Sequence, residues 1–169
     1  MLAFVTVGST RFDSLVNRVL SDAILSALRD RGYTKLVVQC GNSEFAYAHL
    51  LEPETRLEQN GVSIELWKFK PSLQEEYERA DLVVSHAGSG TILDVLRMKK
   101  PLIVVPNPTL LDNHQEELAL ALEHLGYLKS STPSNLETSI QEFEPSSLQE
   151  FPPFEPSRFR DLLDQEMGF

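Results

Sequence analysis

Apolar residues along this chain follow two alternating rhythms. Runs dominated by apolar residues at 2–7, 35–40, 82–84 and 102–105 have the character of strands covered on both faces of a sheet. Between the first two runs, Phe12, Leu15, Val16, Val19, Leu20, Ala23, Ile24, Ala27 and Leu28 recur at spacings of three and four. That spacing predicts one helix over 12–31 with a single apolar stripe, and Gly32 stands where a helix stop is expected. A weaker helical pattern over 44–59 is interrupted by Pro53. Asn60-Gly61 then signals a turn, and 62–69 alternates as a strand. A short helix is expected over 71–79, another finishing over 92–98, and a third over 113–125 with Leu118, Leu122 and Leu125 on one face and Gly126 as its stop. Beyond Ser130 the pattern changes. Residues 131–134 read as a linker, 136–143 as a short helix, and 145–156 as an extended stretch rich in Pro, Ser and Glu. Over 158–167, Phe159, Leu162, Leu163 and Met167 form a helical stripe that must pack on the domain or on a partner.

Alternating strands and helices imply βαβ units. The expected architecture is an α/β domain over 1–130, a Rossmann-like parallel sheet with helices on both faces, followed by a linker and helical extension over 131–169. At 169 residues with 41% hydrophobic and 24% charged positions, the chain is large enough for a core without disulfide or metal support. A net charge of −10 argues against nucleic acid or an anionic membrane surface as the main partner. The single cysteine, Cys40, lies in an apolar run and reads as a small core residue of a protein from a reducing compartment. No run approaches the roughly 20 apolar residues of a spanning helix. The first apolar run lacks the length and the basic lead of a secretory leader.

The chemistry concentrates in Asp81-Leu82-Val83-Val84-Ser85-His86-Ala87-Gly88-Ser89-Gly90-Thr91-Ile92-Leu93-Asp94. A buried strand runs into a loop of small residues, and a helix opens at about Thr91. Free N–H groups and the dipole at such a helix start favour an anion. The glycines leave room for a diphosphate, and Asp94, one turn on, is placed for ribose hydroxyls. A carboxylate introduced at Gly88 is expected to repel that diphosphate. Other fingerprints are missing: there is no third glycine near Leu93 for a dinucleotide motif, no Gly-Lys-Ser/Thr of a P-loop, and Ala87 and Thr91 stand where a nucleophile elbow centred on Ser89 needs glycines. In a parallel sheet, ligands bind beyond the carboxyl ends of the strands. That rule gathers Gly8-Ser9-Thr10, Gly41-Asn42, 85–91 and 106–113 on one rim.

Three stretches in order carry a resemblance: 85–94, Lys100-Pro101-Leu102-Ile103-Val104-Val105-Pro106, and Asp112-Asn113-His114-Gln115-Glu116-Glu117-Leu118-Ala119. Together they resemble the donor-binding half of GT-B glycosyltransferases, the C-terminal domain type of glycosyltransferase family 28. Val5-Thr6-Val7-Gly8-Ser9-Thr10-Arg11-Phe12-Asp13 and Phe151-Pro152-Pro153-Phe154 extend the likeness. They match the small soluble subunits of two-part transferases that add the second GlcNAc to the dolichol-linked oligosaccharide precursor.

The resemblance implies a half enzyme. It would hold UDP-GlcNAc as substrate, with no separate cofactor, and would transfer GlcNAc with inversion to GlcNAc-pyrophosphoryl-dolichol; no His/Cys/Asp cluster in the sequence has ligand spacing, so no protein-bound metal is expected. A membrane-anchored acceptor-binding subunit would recruit it from the cytoplasm to the cytosolic face of the endoplasmic reticulum, without direct membrane insertion. Gly88, Ser89, Gly90 and Thr91 match the loop beside the diphosphate, with Gly8, Ser9 and Thr10 completing it. Asp94 stands where bacterial relatives carry a ribose-binding glutamate. Asn113 and Gln115 fall where the sugar is held, and Leu118 occupies a position often filled by asparagine. His86 is a candidate for substrate binding and His114, beside Gln115, for catalysis; the base would come from the partner subunit. Two other readings remain: a nucleotide-sugar-binding or scaffolding module without turnover, and a complete flavodoxin-like enzyme, against which the lack of a catalytic pair speaks.

Overall fold

A computed structural model describes residues 1–51, 54–109 and 114–153. One seven-stranded sheet carries the fold. In chain order its elements are β1 (Leu2–Thr6), α1 (Asp13–Val19), α2 (Asp22–Asp30), β2 (Lys35–Gln39), β3 (Glu54–Gln59), β4 (Val62–Trp67), α3 (Gln74–Arg79), β5 (Leu82–His86), α4 (Ser89–Arg97), β6 (Leu102–Val105), α5 (His114–His124), β7 (Lys129–Ser130) and α6 (Leu136–Glu142). The strands lie in the order β3-β4-β2-β1-β5-β6-β7. All neighbours are parallel except β3 and β4.

Strand periodicity divides the core into two layers. Ala3, Val5 and Val7 face one side with Leu36, Val38, Leu82, Val84, Ile103 and Val105. Leu2 and Phe4 face the other with Val37, Val83, Leu102 and Val104. Continuous apolar runs are the direct consequence of covering both faces. Residues of α1, α2 and α6 cover the first face, including Leu15, Ile24, Leu28, Leu136 and Ile140. Tyr77, Ile92, Val95 and Ala119, from α3, α4 and α5, cover the second. There Phe4 sits between Trp67, with ring centroids 6.1 Å apart, and Tyr77, at 5.7 Å.

Several expected elements differ. The helix expected over 12–31 is two helices, because Ser21 takes an extended conformation. Its hydroxyl donates to the Arg18 carbonyl at 2.7 Å and accepts from the Ile24 N–H at 3.5 Å, a serine cap that competes with continued helix. The apolar stripe survives the break, since both pieces bury it.

Among the described residues of 44–59 the expected helix is absent. A single 3₁₀ turn occupies Ala48–Leu50, and β3 pairs antiparallel with β4. Asn60 and Gly61 both adopt positive φ, 52° and 75°, the hairpin geometry for which Asn-Gly is suited. The parallel sheet therefore carries one antiparallel edge strand. α4 begins at Ser89, two residues before Thr91, and α3 begins at Gln74. Lys129–Ser130 adds a short strand beside Ile103 and Val104. Pro145–Ser147 is a 3₁₀ turn inside the stretch expected to be extended. α6 packs on the first core layer through Leu136 and Ile140. The terminal stripe of Phe159, Leu162, Leu163 and Met167 lies outside the described residues.

Candidate functional site

Four parallel strands end together, with Thr6 beside Gln39 and Ser85, and His86 beside Val105. The loops that follow therefore converge on one rim. In the first, Gly8 turns the chain with a φ of +62°, a conformation that disfavours any side chain. The Thr10 hydroxyl donates to the Val7 carbonyl at 2.7 Å, while Ser9 stands exposed at the tip. Gly41 meets this loop from β2: a Cβ there would lie 2.8 Å from the Thr10 carbonyl oxygen. Asn107 fastens the loop after β6 to the first, donating to the Arg11 carbonyl at 3.1 Å. Its amide oxygen accepts from the N–H and hydroxyl of Thr109.

His86 is the wedge between the two glycine loops. It is 7% exposed. A Cβ on Gly8 would approach its Cε1 to 2.5 Å, and a Cβ on Gly88 its Nε2 to 2.5 Å. Each glycine is required because imidazole occupies the space of a side chain. The carboxylate test at Gly88 is corrected accordingly: any residue there meets His86 before its charge meets a ligand. Nδ1 of His86 is buried without a hydrogen-bond partner among the described residues. Burial pushes the imidazole below its ordinary value of 6.5, against a smaller opposing pull from the Thr6 backbone. Burial thus favours the uncharged ring.

From Gly88 the chain enters α4. Gly88 offers no side-chain cap, and the first turn holds no acidic residue. The first helical bond runs from the Ile92 N–H to the Gly88 carbonyl at 3.0 Å. The N–H groups of Ser89, Gly90 and Thr91 consequently point toward the rim as an anion-favouring terminus. Nothing lies within 4 Å of a Cβ on Gly90.

Alongside α4 opens a cavity of about 580 Å³ lined by Leu73, Tyr77, Gly90, Thr91, Asp94 and Met98, among others. Gly90, Thr91 and Asp94 are thus brought together. Tyr77, on the short helix α3, joins them. Burial raises the Tyr77 phenol, while a hydrogen bond with the Thr91 side chain pulls it the other way. A groove of about 690 Å³ runs between the loop after β6, α5, β7 and α6, and contains Gln115, Asn107, Ser131 and Ser139. The two cavities share no lining residue. The Gln115 amide oxygen is buried and has no partner among the described residues. The His114 side chain is 85% exposed, 3.7 Å from Glu117. Asn113 lies outside the described residues.

Tyr77 and Asn107 left no motif in the sequence; only the contacts between loops reveal them. Cys40 is buried, and its thiol is pushed up to about 12 by desolvation, which removes it as a nucleophile. Among the described residues, no group of three His, Cys, Asp or Glu side chains could hold a metal ion. No helix there is long and apolar enough to cross a membrane.

Residues 2–165 match the glycosyltransferase family 28 C-terminal domain. A UDP-N-acetylglucosamine transferase subunit ALG13 of Cryptococcus neoformans var. neoformans serotype D is 36% identical, over 98% of this chain and 96% of that protein. The NMR solution structure of ALG13 superposes with a TM-score of 0.67 at 31% identity, covering 96% of this chain and 94% of that one. The crystal structure of Acinetobacter baumannii MurG superposes at 0.64, covering 96% of this chain but 49% of that one, at 18% identity. The last shows likeness of fold to half of a larger molecule.

Proposed function

The chain belongs to the family of the glycosyltransferase family 28 C-terminal domain, and from that premise we propose that it is the donor-binding subunit of a two-part transferase. It binds UDP-GlcNAc and moves GlcNAc to GlcNAc-pyrophosphoryl-dolichol, together with a membrane-anchored acceptor-binding subunit at the cytosolic face of the endoplasmic reticulum. The observation that carries this reading is the rim itself. Two glycine loops close on His86, beside a helix start with free N–H groups and a cavity that holds Asp94.

In this reading the diphosphate lies across Ser9 and the first turn of α4. The nucleoside enters the cavity beside Tyr77, where Asp94 accepts hydrogen bonds from the ribose. Gln115, next to His114 at the start of α5, faces the sugar; an amide both donates and accepts, as sugar hydroxyls require. The acceptor hydroxyl oxygen forms the new bond to the anomeric carbon as the bond to the diphosphate oxygen breaks, inverting that centre. The hydroxyl proton passes to a base of the partner subunit, and the charge left on UDP is stabilised by the rim donors.

Support for the division of labour comes from His86, which is buried and whose proton affinity is lowered by that burial, so that it is a weak and poorly reachable base. The superposition on about half of MurG fits the same division. The test is GlcNAc transfer from labelled UDP-GlcNAc to a dolichyl-pyrophosphate-GlcNAc acceptor, with the chain alone and with membranes depleted of their own soluble subunit. Transfer only on mixing is expected. Transfer by the chain alone contradicts the need for a partner, and UDP-GlcNAc binding without transfer in any mixture leaves the non-catalytic binding module.

A further inference from the structure

Beneath the first rim loop lies a polar pair with no part in the reading above. Thr6 and Gln39 are register partners at the ends of β1 and β2. Thr6 is fully buried and Gln39 is 4% exposed. The Thr6 hydroxyl donates to Oε1 of Gln39 and accepts from the Gly8 N–H at 3.1 Å. Nε2 of Gln39 donates to the Gly8 carbonyl at 3.2 Å. Both polar backbone groups of one loop glycine are therefore held by buried side chains rather than by the sheet.

An apolar pair would fill this space without the cost of burying an amide and a hydroxyl. An uncharged amide accepts from a hydroxyl with one end and donates to a carbonyl with the other. The grip has a directional effect. It draws the Gly8 carbonyl oxygen back toward β2, whereas an oxygen facing the rim would repel phosphate. The Thr10 hydroxyl and N–H are engaged by the Val7 carbonyl. Ser9, exposed at the tip, is the residue of the loop whose N–H and hydroxyl have no partner among the described residues.

We propose that Gln39, acting with Thr6, is a positioning residue for the donor diphosphate: it fixes the Gly8 peptide so that the donors of Ser9, and not the Gly8 carbonyl, meet the phosphate oxygens. The proposal rests on the reading of the rim as the UDP-sugar site. It assigns Gln39 to the diphosphate alone and gives it no role toward the nucleoside.

That separation is what the experiment reads. The ¹⁵N-labelled chain is titrated with UDP and, separately, with uridine, following chemical shifts so that weak binding is measured. Gln39→Met and Thr6→Val keep the shape of each side chain and remove its hydrogen bonds. In each variant UDP affinity falls about tenfold, the loss of one to two hydrogen bonds, while uridine affinity stays within about twofold. The ratio of UDP to uridine affinity thus shrinks by about tenfold. If Gln39→Met fails to give a folded spectrum, Thr6→Val, apolar in an already buried site, carries the test. An unchanged ratio in the folded variants, or equal losses for both ligands, overturns the positioning role and leaves the rim assignment standing. A native chain that binds uridine no more weakly than UDP overturns the rim assignment and this proposal with it.

Discussion

α4 and α5 each follow a parallel strand, and each begins on the same rim, yet their N-termini present opposite chemistry. Both backbones carry the same partial positive charge of roughly half a unit. At α4 nothing offsets it: the cap is Gly88 and the first turn has no acid. At α5, Glu116 and Glu117 occupy the first turn, and His114 sits beside Glu117. The neighbouring cavities follow suit. The one beside α4 has a single acid, Asp94, together with Arg97, whereas the groove beside α5 has three, Glu116, Glu123 and Glu142, with Lys129. With equal dipoles, the unequal side chains make α4 the terminus more open to an anion. In the proposed function the diphosphate therefore lies at α4, and α5 offers an uncharged amide, Gln115, suited to a sugar.

The largest effect should come from placing a charge on the α4 side. Gly90→Asp has open space for its Cβ, and a carboxylate in the first turn suits the dipole, so the fold should be as stable as the native one or slightly more so. UDP affinity should nevertheless drop on the order of a hundredfold, the scale of a like-charge contact at a partly screened site. Calorimetric titration beside a melting curve reads both; tight UDP binding by this variant would detach the diphosphate from α4.

A smaller and more selective effect is expected on the α5 side. Gln115→Ala should raise the KM for UDP-GlcNAc about tenfold while leaving UDP affinity unchanged. Equal losses for the two ligands would mean that Gln115 does not separate sugar from nucleotide.

The smallest effect concerns protonation. Burial lowers the folded-state value of His86 below 6.5, so between the two values the unfolded chain binds the extra proton. Stability then rises with pH across that window and is lost as pH falls below 6.5, with a slope of at most about 1.4 kcal/mol per pH unit. His86→Gln should flatten the slope in urea unfolding followed across that range. A slope unchanged by the substitution would place the titrating group elsewhere.

The sheet was legible because burial on both faces writes itself as consecutive apolar residues, as in Leu2–Val5 of β1, Leu82–Val84 of β5 and all of β6. The 44–59 region was misread for a physical reason. Its helical spacing is a local signal, while β3 depends on pairing with β4 across the Asn60-Gly61 turn. The glycine loops and Asp94 were visible because close approach and helix starts have local signatures. The weight on His86 was not, since its importance comes from touching Gly8, 78 positions away by residue number, as well as nearby Gly88. Gln39, Asn107 and Tyr77 likewise act through contacts that only the folded chain creates.

The most direct test of the central claim is a chemical-shift map of the ¹⁵N-labelled chain titrated with UDP. The largest changes should fall together on Ser9, on Gly88 to Thr91, and on Tyr77 and Asp94, with the groove around Ser131 and Asn135 little affected. Changes centred on that groove, with Ser9 and the start of α4 unmoved, would contradict the placement of the diphosphate between the two glycine loops.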